Sequence, residues 1–389
     1  PVGNLFKGMK SMALIIAYDR GYYAEHLADF RAQKLGLKTP EFNFARVNLN
    51  NQDNGVYLAV EQWSDKWISK QGIQEASNLY SLTKSPDEDP NISLLRTGGA
   101  SYWKDYTDQL DFEPLKNLVI IVENADNQTF KKLIPAILDM DKFYGWATIN
   151  ILAGSFHQQE STMVLLFNRA SGKFEMIPWD VNHYYINDAY FQDMDVLSRR
   201  ILSIPEFYGE FRQRTLAYLN EENIKGDLKF YEKIFDEMKP EFYSDRIKFH
   251  NDYTFSRLTK RSREQMIHNF EKIPQMLTEN TPIVFEEPFD KAQGRPKSVV
   301  LLDSFRNLTA VVSSPAEFLK NNPQFRIQDS KTLILPTGNY YFSKDVIIPS
   351  GLTLIIRPGA NLFFAKSVSI VSYSPVIADG SAAPIKFLP

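Results

Sequence analysis

The sequence contains no cysteine. Disulfide bonds and thiolate metal sites are therefore excluded, so a metal centre would have to use oxygen or imidazole ligands. Long hydrophobic runs are also missing. No apolar run approaches the roughly 18 residues that a membrane-spanning helix needs, so the sequence predicts no transmembrane segment.

An excess of either charge is absent as well. The 44 Lys and Arg residues nearly balance the 47 Asp and Glu residues, which leaves a formal net charge of −3. Such a chain generates no broad field that would attract nucleic acid or anionic lipid, so we expect no nucleic-acid partner.

The chain does have the material for a large core. It has 389 residues, of which 43% are apolar, and this length favours two domains over one. It begins at Pro1 without a recognisable signal peptide and stops at Pro389 directly after a strand-like segment. We therefore expect a piece of a longer protein, with any targeting sequence upstream.

A predicted β-hairpin is the centre of the sequence. Residues 163–167 and 173–177 are apolar, and the five-residue loop between them ends in Gly172. The second strand is followed by Pro-Trp-Asp, which ends at Asp180. A carboxylate held there on rigid backbone suits a metal ligand. The alternative is an Asp that caps a turn after a strand.

Three motifs carry a resemblance to a known family. They are the IPWD that ends at Asp180, the upstream GVYLAVEQ, and the amino-terminal FKGMKSMALIIAYDRG. Together they resemble the CotH (spore coat protein H) kinase family over roughly residues 5 to 270. This resemblance implies an α+β fold, an atypical protein-kinase-like domain of two lobes whose small lobe is truncated at its amino terminus. It also implies phosphoryl transfer from ATP, with Mg²⁺ or Mn²⁺, to Ser or Thr of a protein partner.

The resemblance assigns the nucleotide and metal residues. Asp180 takes the place of the metal-binding Asp that follows the kinase hairpin. Many relatives have a second acid two residues later, whereas this chain has Asn182, a weaker neutral ligand. Glu61, Gln62 and Trp63 would offer backbone groups to the adenine edge. For the Glu61 side chain, solvent exposure or a local ion pair is the competing interpretation.

The catalytic loop departs from the family pattern. The resemblance places the catalytic Asp within His157-Gln158-Gln159, yet no Asp occurs between Asp141 and Asp180. Glu160 is the one carboxylate of that loop. We therefore select His157, Gln159 and Glu160 as catalytic candidates, with His157 either a general base or a structural side chain. Loss of a general base costs about two to four decades of rate, so a weak or degenerate kinase is expected.

The lysine that binds nucleotide phosphates in kinases has no clear counterpart. Kinases place it on a strand before the first helix of the small lobe, beneath a Gly-rich loop. Ahead of the first predicted helix, residues 23–35, the sequence has only Lys7 and Lys10, in a stretch without a GxGxxG pattern. We interpret both as solvated loop lysines and expect the phosphate lysine upstream of residue 1.

Other segments have simpler patterns. Residues 11–18 predict a buried strand, residues 44–49 and 55–62 two further strands, and residues 143–152 a central helix of the large lobe. Asp139 and Asp141 precede that helix. They could bind a metal, but Asp before an apolar helix is more commonly an N-cap.

The pattern changes after residue 280. Residues 281–300 have no period and read as a linker, whereas residues 301–389 contain short β-rich runs separated by Pro-Gly and Ser-Gly turns. The latter resemble the start of a right-handed parallel β-helix, a β-solenoid found on bacterial surface proteins. We predict a kinase-like domain over 1–280 and a β-helix domain over 301–389.

Two function classes follow. One is a weak CotH-like protein kinase. The other is a non-catalytic cell-surface or spore-coat protein, structural or adhesive, in which a pseudokinase serves as scaffold. Either would act on or bind a protein partner, and an extracellular or cell-surface location is expected.

Overall fold

The computed structural model describes residues 6–73, 77–82, 103–107, 111–155, 162–192, 194–285, 289–290, 295–296, 318–320, 322–343, 346–348, 352–365, 368, 370–372 and 375–388. The chain divides into two compact units, Pro1–Pro296 and Lys297–Pro389. The predicted boundaries at residues 280 and 300 stay predictions, because most of residues 286–317 lie outside the described part of the chain.

The first unit mixes helices and strands in an α+β arrangement. Its strands are β1 (Met12–Ile16), β2 (Phe42–Leu49), β3 (Gln52–Glu61), β4 (Asn78–Leu82), β5 (Trp103–Asp105), β6 (Val164–Asn168), β7 (Lys173–Ile177), β8 (Phe289–Asp290) and β9 (Arg295–Pro296). Its helices are α1 (Ala24–Lys34), α2 (Asp65–Lys70), α3 (Glu113–Asn124), α4 (Asn127–Ile137), α5 (Met140–Ala153), α6 (Val196–Leu202), α7 (Pro205–Tyr218), α8 (Glu221–Ser244) and α9 (Asp252–Met276). None of the helices in the described part of the chain is both long and apolar enough to cross a membrane.

A three-stranded antiparallel sheet with the order β1-β3-β2 forms the amino-terminal part. Strands β2 and β3 are joined at Asn50 and Asn51, which both have left-handed backbone angles, a conformation that Asn tolerates. The prediction of a buried strand at residues 11–18 was wrong in its burial. β1 is an edge strand with Met12, Leu14 and Ile16 exposed, and an apolar run alone does not distinguish an edge strand from a buried one.

Helix α1 confirms the predicted helix at residues 23–35, and Gly36 follows it with φ +66°. Its first turn contains Glu25, which is buried. This places an ionisable side chain next to Arg20, in the turn that connects β1 to α1.

Helix α5 is the buried centre of the unit, as predicted. All residues from Phe143 to Ala153 are buried. Asp139 is its N-cap and accepts a hydrogen bond from the Lys142 amide at 3.1 Å. The capping interpretation is therefore confirmed for Asp139. Asp141 lies in the first turn of the helix, points outward and pairs with Arg214 at 2.6 Å.

The predicted hairpin is confirmed as β6 and β7, which pair in register from Val164↔Ile177 to Asn168↔Lys173. They belong to a four-stranded sheet with the order β5-β4-β6-β7. Gly172 closes the loop with φ +67°, a conformation that costs glycine little. The hairpin therefore holds the residues after Ile177 on a rigid support.

The second unit consists of short strands that pair mainly in parallel. They are β10 (Arg326–Asp329), β11 (Thr332–Leu335), β12 (Gly338–Phe342), β13 (Val346–Ile348), β14 (Thr353–Ile356), β15 (Ala360–Phe364), β16 (Ile370–Ser372), β17 (Val376–Ala378) and β18 (Lys386–Leu388). The parallel pairs are β11-β14, β14-β17, β12-β15, β15-β18 and β13-β16. Inward-facing residues such as Leu333, Leu354 and Leu362 form its core.

Candidate functional site

Asp180 lies at the end of the hairpin in a strained turn. Its φ is +54°, a left-handed conformation that Asp adopts more readily than most residues, and it is 5% exposed. The Asn182 backbone amide donates to the Asp180 carbonyl at 3.0 Å, and the Asn182 side-chain amide donates to Asp180 Oδ1 at 3.3 Å. The hairpin thus brings the two predicted metal ligands, Asp180 and Asn182, together.

A buried ion-pair cluster surrounds the Asp180 carboxylate. Arg20, the last residue of the short 3₁₀ helix Ala17–Arg20, places Nη1 3.0 Å from Asp180 Oδ1. Its Nε lies 3.1 Å from Glu25 Oε1 on α1, and its Nη1 lies 2.6 Å from Asp19 Oδ2. One guanidinium therefore joins the end of the hairpin to the first turn of α1.

The cluster changes the protonation of Glu25. Burial raises its pKa to about 8, the negative charge of Asp180 adds to the rise, and Arg20 opposes it. At neutral pH the Glu25 carboxyl therefore keeps its proton in most molecules. The Arg20 charge is then balanced chiefly by the two aspartates, Asp19 and Asp180.

Aromatic packing brings Trp63, the last residue of the segment predicted to contact adenine, next to the Asp180 turn. The Trp179 ring lies 5.5 Å from Trp63 and 6.3 Å from Phe42, measured between centroids. The Arg20 guanidinium carbon lies 5.8 Å from the Trp179 centroid. Although Trp63 and Trp179 are far apart in sequence, they share one cluster under the small sheet.

The segment Glu61–Trp63, which is predicted to contact adenine, is held by backbone hydrogen bonds. The Glu61 amide donates to the Glu41 carbonyl and the Gln62 amide to the Ser11 carbonyl, each at 3.0 Å. The Glu61 carboxylate is buried and pairs with Lys70 Nζ at 3.1 Å, so of the alternatives for this side chain the local ion pair is observed. An adenine edge would have to use other backbone groups of this segment, and that role stays a prediction.

The catalytic candidates His157, Gln159 and Glu160 lie outside the described residues, so their roles also stay predictions. A hydrogen bond fixes the residue at the end of α5, shortly before this loop. The Tyr184 amide donates to the Ala153 carbonyl at 2.8 Å, directly before the loop begins. The end of α5 therefore lies beside the segment that follows Asp180.

Asn269 on α9 also binds the backbone near Tyr184. Its side-chain amide donates to the Tyr184 carbonyl at 2.8 Å, and its Oδ1 accepts from the Ile186 amide at 2.9 Å. Asn269 is fully buried. The backbone after Asp180 is thus bound to both α5 and α9.

The residues present fit a divalent cation only in part. Within the described ranges, no group of three His, Cys, Asp or Glu side chains is arranged to hold a metal. Asp180 and the side-chain oxygen of Asn182 would supply two ligands, as in Mg²⁺ sites completed by water and substrate phosphates; Asn182 now turns its amide nitrogen toward Asp180. A cation at Asp180 would have to share or displace the contact with Arg20.

Two members of the cluster, Arg20 and Glu25, were missed in the sequence. Lys7 and Lys10 are exposed, as expected for solvated loop lysines. The sequence offered one signal for Arg20 and Glu25: an acidic residue in the first turn of the first helix, with a basic residue shortly before it. It was too common a pattern to be selected without a structure.

Comparisons with known proteins decide the family. A family profile described as "CotH kinase protein" matches residues 3–254, more than half of the chain. The chain belongs to the CotH kinase family. The family domain thus contains α1, the small sheet, the hairpin and the Asp180 cluster, and the resemblance seen in the sequence motifs is confirmed at the level of the family.

This CotH-family chain is also similar in sequence to an individual curated protein. It is the inner spore coat protein H of Bacillus subtilis (strain 168), which is 24% identical over 237 residues. The matched region covers 55% of this chain and 64% of that protein. The chain therefore spans somewhat less than two thirds of its relative.

Proposed function

We propose that this CotH-family chain is a weak ATP-dependent protein kinase that transfers phosphate to Ser or Thr of a protein partner. One observation carries the proposal: Asp180, at the end of the hairpin, is joined through Arg20 to Glu25 on α1. Protein kinases likewise tie a cation to a glutamate on the first lobe's helix, beside the Asp that holds Mg²⁺. The family membership of residues 3–254 agrees with this assignment.

In this proposal each predicted residue has one task. Asp180 and Asn182 would hold Mg²⁺ or Mn²⁺, which when bound neutralises phosphate charge during transfer. The backbone around Glu61 and Trp63 would line the adenine edge. His157 would accept the proton of the acceptor hydroxyl.

The expected rate is low because of the loop composition. No Asp lies between Asp141 and Asp180, so the usual carboxylate base is missing. Loss of a general base costs about two to four decades. Glu160 and Gln159 would then position the acceptor rather than replace the base fully.

A non-catalytic role in a spore coat or at the cell surface is the second candidate. It is favoured by the same missing Asp and by the relative, whose name places it in the inner spore coat. In that case the kinase-like domain would be a scaffold for a coat-protein partner. Both candidates imply an extracellular or cell-surface location.

The carboxyl-terminal unit would support such a surface role. We propose that it is the beginning of a parallel β-helix. Its pairs Thr332↔Thr353, Gly338↔Ala360 and Leu354↔Val376 recur at a spacing of about 22 residues, which is the geometry of stacked coils.

Phosphate transfer from radiolabelled ATP to casein, in the presence of Mn²⁺ or Mg²⁺, tests the kinase proposal. We expect slow metal-dependent labelling of Ser or Thr that is lost in Asp180→Asn and kept in Asp141→Asn, an exposed acid paired with Arg214. Metal-dependent ATP binding without labelling would favour the scaffold. Absence of both would overturn the kinase proposal.

A further inference from the structure

A second cavity lies among four helices of the first unit. Residues of α1, α5, α7 and α8 line it, and its volume is about 420 Å³. That volume is within the range of small-molecule binding sites in proteins. Gly145 and Ala217 form part of the wall without large side chains, which helps to leave the space open.

The wall of this cavity is positively charged. Lys34, Lys142 and Arg214 line it, and Asp141 is the one acid among the described residues that do so. A ligand would therefore meet an excess of two formal positive charges. Such a wall favours an anion with two negative charges. A phosphate monoester is close to that charge at neutral pH, because its second pKa is about 6.

Both lysines are held in place by contacts that leave them further N–H donors. Lys34 Nζ lies 3.3 Å from Oδ1 of Asp227 on α8, and that carboxylate is fully buried. Lys142 Nζ donates to the Gly36 carbonyl, just after α1. An ammonium group has three N–H donors, so each lysine can also donate to a ligand oxygen.

Arg214 adds a guanidinium to the same wall. Its Nη2 contacts Asp141 Oδ1 and its Nε contacts Glu210 Oε1, each at 2.6 Å. A guanidinium has five N–H donors in a planar fork, which can bind a phosphate group through two parallel hydrogen bonds. Since the Arg214 side chain is 40% exposed, its ion pairs are weak, and a dianion in the cavity can compete for it.

Two helix ends add to the attraction for an anion. Lys142 is in the first turn of α5, and Asn223, which also lines the cavity, is in the first turn of α8. The amino-terminal end of a helix carries a partial positive charge. The Asn223 side-chain amide can also donate to a phosphate oxygen.

We propose that this cavity binds a phosphate monoester, with Lys34, Lys142 and Arg214 as the groups that contact the phosphate. The three cations lie on α1, α5 and α7, so the bound phosphate would join three helices. Because no residue of the Asp180 cluster takes part, this site goes beyond the proposed function and does not depend on nucleotide binding.

Isothermal titration calorimetry of the full chain in EDTA tests this site, because EDTA removes the divalent cation that Asp180 would need. We expect saturable binding of inorganic phosphate and O-phosphoserine, and none of serine. In Lys142→Met and Arg214→Met, O-phosphoserine should bind about tenfold more weakly, because each variant loses a charge-assisted contact. Arg214→Lys should fall between Arg214→Met and wild type, since it keeps the charge but loses the fork.

Lys233→Met is the matched control. Lys233 also lies on α8, but it pairs with Glu237 at 3.7 Å and is not among the residues that line the cavity. This variant should bind O-phosphoserine like wild type. A phosphoserine flanked by two alanines in a tripeptide separates the two sources of a phosphate monoester. Tighter binding than O-phosphoserine indicates a phosphorylated protein segment, and weaker binding indicates a small metabolite.

Lysine acetylation of wild type gives a readout that does not depend on the folding of a variant. Saturating O-phosphoserine should protect Lys34 and Lys142 from an amine-reactive reagent, as measured by mass spectrometry. Lys233 should be acetylated equally with and without O-phosphoserine.

Three results would overturn the proposal. The first is a wild type that binds neither phosphate nor O-phosphoserine. The second is equal affinity in wild type, Lys142→Met and Arg214→Met. The third is equal weakening in Lys233→Met, which would show nonspecific attraction between charges. If a methionine variant does not fold, the acetylation pattern decides, and unprotected Lys34 and Lys142 at saturating O-phosphoserine would reject the site.

Discussion

Arg20 Nη1 lies 3.0 Å from Asp180 Oδ1, so the turn before α1 is bound directly to the end of the β6–β7 hairpin. The same guanidinium reaches Glu25 on α1. Two segments that are distant in sequence thereby form one buried polar cluster. Substitution of Glu25 or Asp180 should therefore alter the position of the Arg20 side chain.

The raised pKa of Glu25 predicts a pH-dependent stability. Its ordinary value is 4.5, and burial raises it to about 8 in the folded chain. Between these values the folded state holds a proton that the unfolded state has released, so the free energy of unfolding falls as pH rises. The loss is up to about 1.4 kcal/mol for each pH unit in this window.

Urea denaturation of wild type and Glu25→Gln from pH 5 to 8 measures this contribution. The variant, which cannot ionise, should show a flatter profile than wild type. Glu237→Gln, an exposed acid that pairs with Lys233, should follow wild type. Parallel profiles for wild type and Glu25→Gln would contradict a raised pKa.

We predict that one methyl group added at Gly154 strongly lowers the free energy of unfolding. It has φ +62°, and a Cβ there would lie 2.6 Å from the Tyr184 carbonyl oxygen. Gly154→Ala should therefore destabilise the chain by about 3 kcal/mol or more, from backbone strain plus the clash. It should also displace the segment that follows Asp180.

Gly172→Ala provides the comparison for that prediction. Its φ of +67° is nearly the same, but a Cβ there would meet nothing within 4 Å. Strain alone should cost about 1 to 2 kcal/mol. Equal losses in the two variants, measured by chemical denaturation, would show that the contact with Tyr184 has no energetic importance.

The domain boundary predicts a proteolytic product. Cleavage by a nonspecific protease within residues 286–300 should release an amino-terminal fragment, identified by mass spectrometry. That fragment should melt at the temperature of the corresponding transition in the full chain. A chain that resists cleavage there, or a fragment that is unfolded, would argue against separate units.

Much of the local structure could be predicted from the sequence, because it depends on short-range signals. The hairpin follows from β-type residues around Gly172, and the end of α1 from Gly36. Asp139 was correctly interpreted as an N-cap rather than a metal ligand.

The composition of the site could not be predicted in the same way. Arg20 and Glu25 acquire their importance from contact with Asp180, and no local pattern reports a contact across that length of chain. The exposure of β1 was misjudged for a related reason. An apolar run such as residues 12–16 does not reveal whether another strand lies beside it.

The most direct test of the account is metal-dependent nucleotide binding by Asp180→Asn. Asn keeps the shape of the side chain and tolerates the left-handed backbone at this position, but it removes the charge that a cation requires. We predict that Mg²⁺- or Mn²⁺-dependent ATP binding weakens at least tenfold, about 1.4 kcal/mol. Unchanged ATP affinity in Asp180→Asn, in a variant that melts like wild type, would contradict the assignment of Asp180 as the metal ligand.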